Sequence, residues 1–226
     1  MITGRYCAVI PAYNAAETIG PLIQQVKAYG LAVVVVNDGS RDTTPLIASE
    51  QGAFVISHLK NQGKGCALRT GFEYAVRAHY DGVVTLDSDG QHDPAEIPQL
   101  IRAGEVQHAG IVLGNRMANG GPTMPQLRRW TNRIMSAVIS CLTRQHIPDS
   151  QCGFRFIRAE VLQSVPLRAK RFEIETELLF SASARRWKII SVPVKSIYGK
   201  ARSHIKPVRD TVRFVMLALG YLVGRR

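Results

Sequence analysis

Four consecutive valines, Val33–Val36, stand in the stretch AVVVVNDGS and run straight into Asn37, Asp38 and Gly39. A strand with no polar residue on either face must be covered on both. A parallel sheet between helical layers provides that cover; a one-sided antiparallel sheet does not. The pattern recurs. Apolar runs predict strands over Arg5–Ile10, Ala32–Asn37, Phe54–His58, Val83–Asp87 and Ile111–Asn115. Amphipathic stretches between them predict helices near Ala15–Tyr29, Thr43–Glu50, Lys64–His79 and Ala95–Gln107. Strand and helix alternating in this way give an α/β fold with a mostly parallel central sheet flanked by helices. At 226 residues the chain is expected to form one domain. Asn14 and Glu17 have capping-box spacing, and Ser40 or Asp42 suits the cap of the second helix. Polar residues thus gather at the carboxyl ends of the strands, where ligands bind in open α/β sheets.

The second half reads differently. RMANGGPTMP is a Gly/Pro loop expected to be mobile; a helix over Gln126–Thr143, a helix near Glu173–Arg186 and a strand in KIISVPVKSIY follow. The last stretch, 207–226, is expected to be a basic amphipathic helix. Its apolar run Phe214–Val223 is too short to span a bilayer and suits an interfacial or packed helix. Met1–Tyr6 leads directly into the first strand without a basic, apolar leader, so a cytoplasmic location is expected. The four cysteines are scattered, with no CxxC pair, and read as reduced thiols. Charge divides the chain. Residues 1–114 hold 8 Lys and Arg against 11 Asp and Glu, whereas residues 115–226 hold 21 against 6. The basic half therefore calls for a polyanionic partner or an anionic surface. A nucleic acid is disfavoured: aromatic residues make up only 7% and do not interleave with the basic ones.

Three stretches carry candidate chemistry. In VVTLDSDGQHDP, Asp87 and Asp89 can converge on a hard divalent cation, with Gln91 adding a neutral oxygen. The same stretch also suits a solvated turn in which Asp93 caps the helix that starts at Pro94. An EF-hand is excluded, because His92 stands where that loop needs glycine and Pro98 where it needs glutamate. In VVVVNDGSRDTT, Asp38 ends a buried strand and can accept hydrogen bonds from a base, or merely belong to a turn. In NQGKGCALRTG, Gly63 and Gly65 flank Lys64 before a helix, so backbone N–H groups and an ammonium can face a phosphate; the P-loop spacing is absent.

Taken together with IPAYNAAETI, GNR, DSQCGFRFIRAEVL, FEIETELL and SHIKPVRD, these stretches resemble the family 2 glycosyltransferases of GT-A fold, a Rossmann-like α/β architecture. The branch they most resemble is that of the dolichyl or polyprenyl phosphate glycosyltransferases. The matching pieces cover nearly the whole chain. The resemblance implies a donor half over 1–114 and an acceptor half over 115–206. Pro11, Ala12, Tyr13 and Glu17 would line the nucleotide-sugar pocket, with Asp38 on the base and Lys64, Asp87, Ser88 and Asp89 around the diphosphate. Asp87, Asp89 and Gln91 would hold Mg²⁺ or Mn²⁺. Arg116 would lie between the donor and acceptor phosphates. Arg128 and Asn132, four apart on one helical face, would bind the acceptor phosphate, joined by a closing loop with Arg202, Ser203 and His204. Asp89, Arg116 and Arg128 would be the catalytic set. Ala15 departs from the pattern, since many relatives carry Glu after the Asn of this loop.

A hydroxyl nucleophile needs a carboxylate base, whereas a polyprenyl phosphate is already an anion and has only to be held in line by cations. The basic half favours the second. The implied reaction is metal-dependent, inverting transfer of a hexose from a GDP- or UDP-sugar to a lipid-linked phosphate at the inner membrane face. Membrane contact is expected through the C-terminal helix or a partner subunit, and a homo-oligomer is open. Transfer to a hydroxyl of a saccharide or glycolipid is the alternative, with Glu173 or Glu177 as base, although acidic charge at a helix N-terminus explains these residues too. A non-catalytic membrane-surface protein retaining the fold is the alternative from another class. His92 and His204 invite a general-base reading, but a histidine beside a substrate is more often a hydrogen-bond donor.

Overall fold

A computed structural model describes residues 4–118 and 126–195, together with Tyr221. Seven strands form one sheet: β1 (Tyr6–Ala12), β2 (Ala32–Asn37), β3 (Phe54–Ser57), β4 (Gly82–Thr85), β5 (Ile111–Asn115), β6 (Arg155–Arg158) and β7 (Ile189–Pro193), in the order β3-β2-β1-β4-β6-β5-β7. All pairings are parallel except those of β6, which runs antiparallel between β4 and β5. Every apolar run of the first half became a strand. β1 lies inside the sheet between β2 and β4, buried at all seven positions. β6 was not expected as a strand, and it brings strands from the two halves of the chain into one sheet.

Helices α1 (Ala16–Lys27), α2 (Thr44–Glu50), α3 (Lys64–Arg77), α4 (Ile97–Val106), α5 (Gln126–Thr143), α6 (Ala159–Ser164) and α7 (Ile174–Ala184) complete the fold, and a 3-10 turn at Pro94–Glu96 leads into α4. Successive strand residues point to opposite faces, and so the sheet separates two cores. On one side Ala8 and Ile10 of β1 pack with Ile19, Ile23 and Val26 of α1 and Leu100 and Ile101 of α4. On the other, Cys7 and Val9 pack with Leu68 and Phe72 of α3 and Leu178 and Leu179 of α7.

Caps follow a different logic from the one the spacing suggested. Asn14 takes a left-handed φ of 50° and does not cap α1. The donors at that end are met from the neighbouring loop, Ala15 N–H by Thr44 Oγ1 and Ala16 N–H by Asp42. The other Asp42 oxygen accepts from Thr44 N–H and so serves α2, as expected. One loop thus caps two helices and ties the ends of β1 and β2 together. The end of the strand expected over KIISVPVKSIY, residues 119–125 of the Gly/Pro loop and the C-terminal helix lie outside the described residues, apart from Tyr221, whose ring stacks on Phe180 with centroids 4.4 Å apart.

Candidate active site

The carboxyl ends of β1, β2, β4 and β5 open on one edge of the sheet, and the predicted donor-site residues lie there. Asp38 follows β2, and its N–H donates to Ala12 O at the end of β1 (2.8 Å). Its carboxylate is 3% exposed and receives His58 Nδ1 at 2.8 Å, Gln62 N–H at 2.9 Å and Gly63 N–H at 2.7 Å. Asp38 therefore organises the loop that delivers Lys64. Gly63 sits in that loop at φ 103°, a conformation that L side chains rarely adopt. Two of the N–H groups expected to cradle a phosphate are used inside the protein: Gly63 N–H on Asp38, and Cys66 N–H on Lys170 O at 3.2 Å. What remains of that expectation is the ammonium of Lys64. Tyr13 and Glu17 are exposed, and Pro11 and Ala12 are buried at the end of β1.

Lys64 Nζ bridges Asp87 Oδ1 at 2.6 Å and Glu175 Oε1 at 2.8 Å. Burial would lower the pKa of this lysine, but attraction to Asp87 and then Glu175 outweighs it and holds the pKa above the usual value. Burial likewise opposes ionisation of Asp87, and Lys64, with a smaller contribution from Arg116, overrides it to bring the carboxyl down to about 2. Three charges in one site are tolerable because two are negative around one positive. Gly153 backs this cluster, since a Cβ there would stand 2.7 Å from Asp87 Oδ2.

Beyond Asp87 the chain folds back on itself. Asp89 is exposed and accepts from Gln91 N–H at 3.0 Å, across Gly90 at φ 70°. His92 Nδ1 accepts from Asp87 N–H at 3.2 Å, and its ring stacks on Phe154. Burial depresses the pKa of His92. With Nδ1 accepting, this histidine is a neutral strut of the loop. Asp93 caps the next turn through Ala95 N–H at 3.0 Å, as expected. Thr18 Oγ1 donates to Ser88 O and pins the segment to α1. Among the described residues no three His, Cys, Asp or Glu side chains form a complete metal cage. The exposed Asp89 carboxylate and the Gln91 amide are hard oxygen donors that fit a divalent ion taking its remaining oxygens from a ligand's phosphates.

On the basic side, Arg116 follows β5 and is clamped by Asp149. Nε and Nη2 donate to the two carboxylate oxygens at 2.8 and 3.0 Å, and the Arg116 N–H adds a third bond at 3.1 Å. Asp149 is fully buried, and burial pushes its pKa up, but the hydrogen bonds and charge of Arg116, followed by Asn132, bring it below the ordinary value. Asn132, expected beside an acceptor phosphate, is 4% exposed and spends its Nδ2 on Asp149 at 2.7 Å. It supports Arg116 from behind. Arg128 lies one turn earlier on α5, its side chain outside the described residues, as are Arg202, Ser203 and His204.

With that geometry in place, a family model described as Glycosyl transferase family 2 matches residues 7–165. The chain belongs to glycosyl transferase family 2. It is 31% identical over 212 residues to a UDP-N-acetylglucosamine–dolichyl-phosphate N-acetylglucosaminyltransferase of Methanococcus voltae, covering 84% of each chain. It is 28% identical to an undecaprenyl-phosphate mannosyltransferase of Micrococcus luteus, over 84% of this chain and 82% of that one. Among solved structures, glucosyl-3-phosphoglycerate synthase from Mycobacterium tuberculosis, in complex with Mn²⁺, UDP and phosphoglyceric acid, superimposes with a TM-score of 0.74 at 20% identity, covering 99% of this chain and 78% of that one. That likeness supports the GT-A fold. The protein is a family 2 glycosyltransferase, and several of its relatives bear the names of enzymes acting on lipid phosphates.

Sequence reasoning gave no role to three residues that build this candidate site. Glu175, and not Glu173 or Glu177, reaches Lys64; Glu177 instead accepts from the N–H groups of Arg168 and Ala169. Asp149 stood in the quoted segment DSQCGFRFIR with no role. Arg155, 2% exposed, donates to the carbonyls of Ser150, Cys152 and Glu175, each at 2.8 Å, and welds the Asp149 segment to α7.

Proposed function

We propose that this glycosyltransferase moves a hexose from a UDP- or GDP-sugar to a polyprenyl or dolichyl phosphate, inverting the anomeric centre. One observation carries the reading: a buried carboxylate, Asp149, fixes the Arg116 guanidinium within electrostatic reach of Asp87, so a rigid cation stands beside the D-x-D segment. The named activities of the Methanococcus voltae and Micrococcus luteus relatives support a lipid phosphate acceptor. The phosphoglyceric acid held by the structural neighbour is a phosphorylated compound too.

In this reading Pro11, Ala12, Tyr13 and Glu17 line the nucleotide pocket, closed at the base end by Asp38 and the loop it holds. Lys64 and Ser88 meet the diphosphate. Asp89 and Gln91, with Asp87 beside them, hold Mg²⁺ or Mn²⁺. When bound, the metal neutralises charge on the departing nucleoside diphosphate. Arg116 and Arg128, joined by Arg202, Ser203 and His204, hold the acceptor phosphate in line with the anomeric carbon, and Asn132 acts through Asp149. No base is required, since the acceptor arrives as an anion. A lipid acceptor puts the enzyme at the cytoplasmic face of a membrane as a peripheral protein; no described helix is long and apolar enough to cross one.

Glu175 favours a second reading. A carboxylate in the site could deprotonate a saccharide hydroxyl, but here it is held by Lys64. The test is transfer from UDP- and GDP-sugars to a short polyprenyl phosphate with Mn²⁺. Lipid-linked sugar is expected, strongly reduced by Arg116→Ala. Transfer to a soluble saccharide alone, abolished by Glu175→Gln with donor binding intact, would overturn the lipid acceptor.

A further inference from the structure

Helix α5 turns a mixed face inward: Asn132, Ser136, Ile139 and Thr143 are buried, and Met135 and Leu142 pack partly buried against the core. Those polar groups are satisfied within the protein: Asn132 on Asp149, Ser136 on Ser150 at 3.0 Å, and Thr143 on the Ile139 carbonyl. The outward face carries Trp130, Ile134 and Val138, exposed by 62%, 62% and 37%. These residues are spaced i, i+4, i+8 and so form one continuous stripe along the helix. Single exposed apolar side chains are ordinary on protein surfaces, but a contiguous stripe of three along one helix is not. Such a face suits an apolar medium.

The charge around the stripe narrows what that medium is. α5 contains no Asp or Glu, while Arg129 and Arg133 flank Trp130, and Arg144 follows the helix. The Arg133 guanidinium lies 6.0 Å from the Trp130 ring centroid. An indole and aliphatic side chains bordered by arginines match the interfacial layer of an anionic bilayer, where tryptophan sits at headgroup depth and arginine meets lipid phosphate.

We propose that α5 is the membrane-docking surface of this protein, with the Trp130–Ile134–Val138 stripe lying in the headgroup region of an anionic bilayer. The docked helix lies on the membrane and does not cross it, because its inner face is bonded to the protein. Asn132 on that inner face holds Asp149, which holds Arg116. The bilayer surface then lies about one helix diameter, roughly 10 Å, from the guanidinium. A phosphate headgroup needs only a short excursion to reach it. The lipid-acceptor reading supplies the purpose of this surface, and the docking is tested without any transfer.

The full chain is mixed with vesicles of phosphatidylcholine alone, or of phosphatidylcholine and phosphatidylglycerol, and tryptophan emission is followed with brominated lipids as quenchers. Trp187, the other tryptophan, donates its indole N–H to Ser164 within the fold and serves as the internal reference. The expected result is a blue shift and bromolipid quenching with anionic vesicles, both lost in Trp130→Phe. Ile134→Ser should weaken partitioning by about tenfold or more while leaving the melting temperature unchanged, since that side chain is exposed. Flotation with vesicles while Trp130 stays unquenched would overturn the proposal by assigning attachment to another segment. So would the absence of any vesicle response, or a dimer in light scattering that Ile134→Ser dissociates, which would assign the stripe to a second copy. If docking fails while transfer to a short, water-soluble prenyl phosphate persists, the proposed function stands without it.

Discussion

Asp149 is the residue whose loss should be felt most widely. It is fully buried and holds the side chain and N–H of Arg116 together with the amide of Asn132, so its removal takes the bidentate carboxylate from a part-buried cation and the acceptor from a buried amide. Breaking a buried pair in this way costs about 3–5 kcal/mol. Asp149→Ala is therefore expected to lower stability by about that much in urea unfolding, and Asp149→Asn, which keeps the shape, by less. His92 gives a pH signature. Its native pKa lies below the ordinary 6.5, so as pH falls through 6.5 the unfolded chain takes up a proton that the native state resists, and stability drops. Asp87 works in a separate window: its contribution is complete above its ordinary value of 3.8 and disappears as pH falls toward about 2. Loss of stability between about pH 7 and pH 5 that flattens in His92→Gln, by roughly 1 kcal/mol per pH unit, is the expected melting result. Asp87 and Lys64 could be singled out in the sequence as candidates because one follows a buried strand and the other opens a helix between two glycines. Glu175, Asp149 and Arg155 could not, because their partners are fixed by tertiary packing. Lys64 and Glu175 are 111 positions apart, and Arg155 bonds to carbonyls that leave no mark in composition.

Elements differ in how openly the sequence announces them. β1, β2, β4 and β5 could be read because an unbroken apolar run buried on both faces has few alternatives, whereas β3 is a partly exposed edge strand. β6 could not, since its four residues, Arg155–Arg158, begin and end in arginine, and only the three carbonyls around Arg155 and those of Gly104 and Ala109 around Arg158 make burial there tolerable. α5 was placed correctly, and where ordinary amphipathic logic expects apolar side chains inside and polar ones outside, the structure buries Ser136 and leaves Ile134 and Val138 exposed. A substitution separates the two expectations. On ordinary amphipathic logic Ser136→Val improves a buried helix face. In this fold it removes the bonds that the Ser136 hydroxyl makes with Asn132, the Ser150 hydroxyl and the Ser150 N–H. Leaving buried polar groups unpaired costs about 1–3 kcal/mol each. Ser136→Val should thus lower the denaturation midpoint, with a larger loss of transfer activity than of fold because the Asn132–Asp149–Arg116 chain is loosened.

Across the whole molecule the charge is split, net negative over residues 1–114 and strongly positive over 115–226, and both halves contribute strands to one sheet. Such a division suits a reaction with two anionic substrates, one carrying its own cation to the acidic side and the other meeting fixed arginines on the basic side. The two sides should then be separable in binding. A nucleoside diphosphate with Mn²⁺ at about a hundred times its Kd stabilises the folded state by about 2.7 kcal/mol, which for a chain of this size raises the melting temperature by roughly 5–10 °C. Asp89→Ala should remove the part of that shift that depends on Mn²⁺, leaving a smaller one from Lys64 and the nucleotide pocket. Arg116→Ala should retain the whole donor shift and lose the shift produced by a short polyprenyl phosphate. Equal loss of both shifts in either variant would mean that donor and acceptor phosphates share one site, and the division between acidic and basic halves would then have to serve the membrane surface alone.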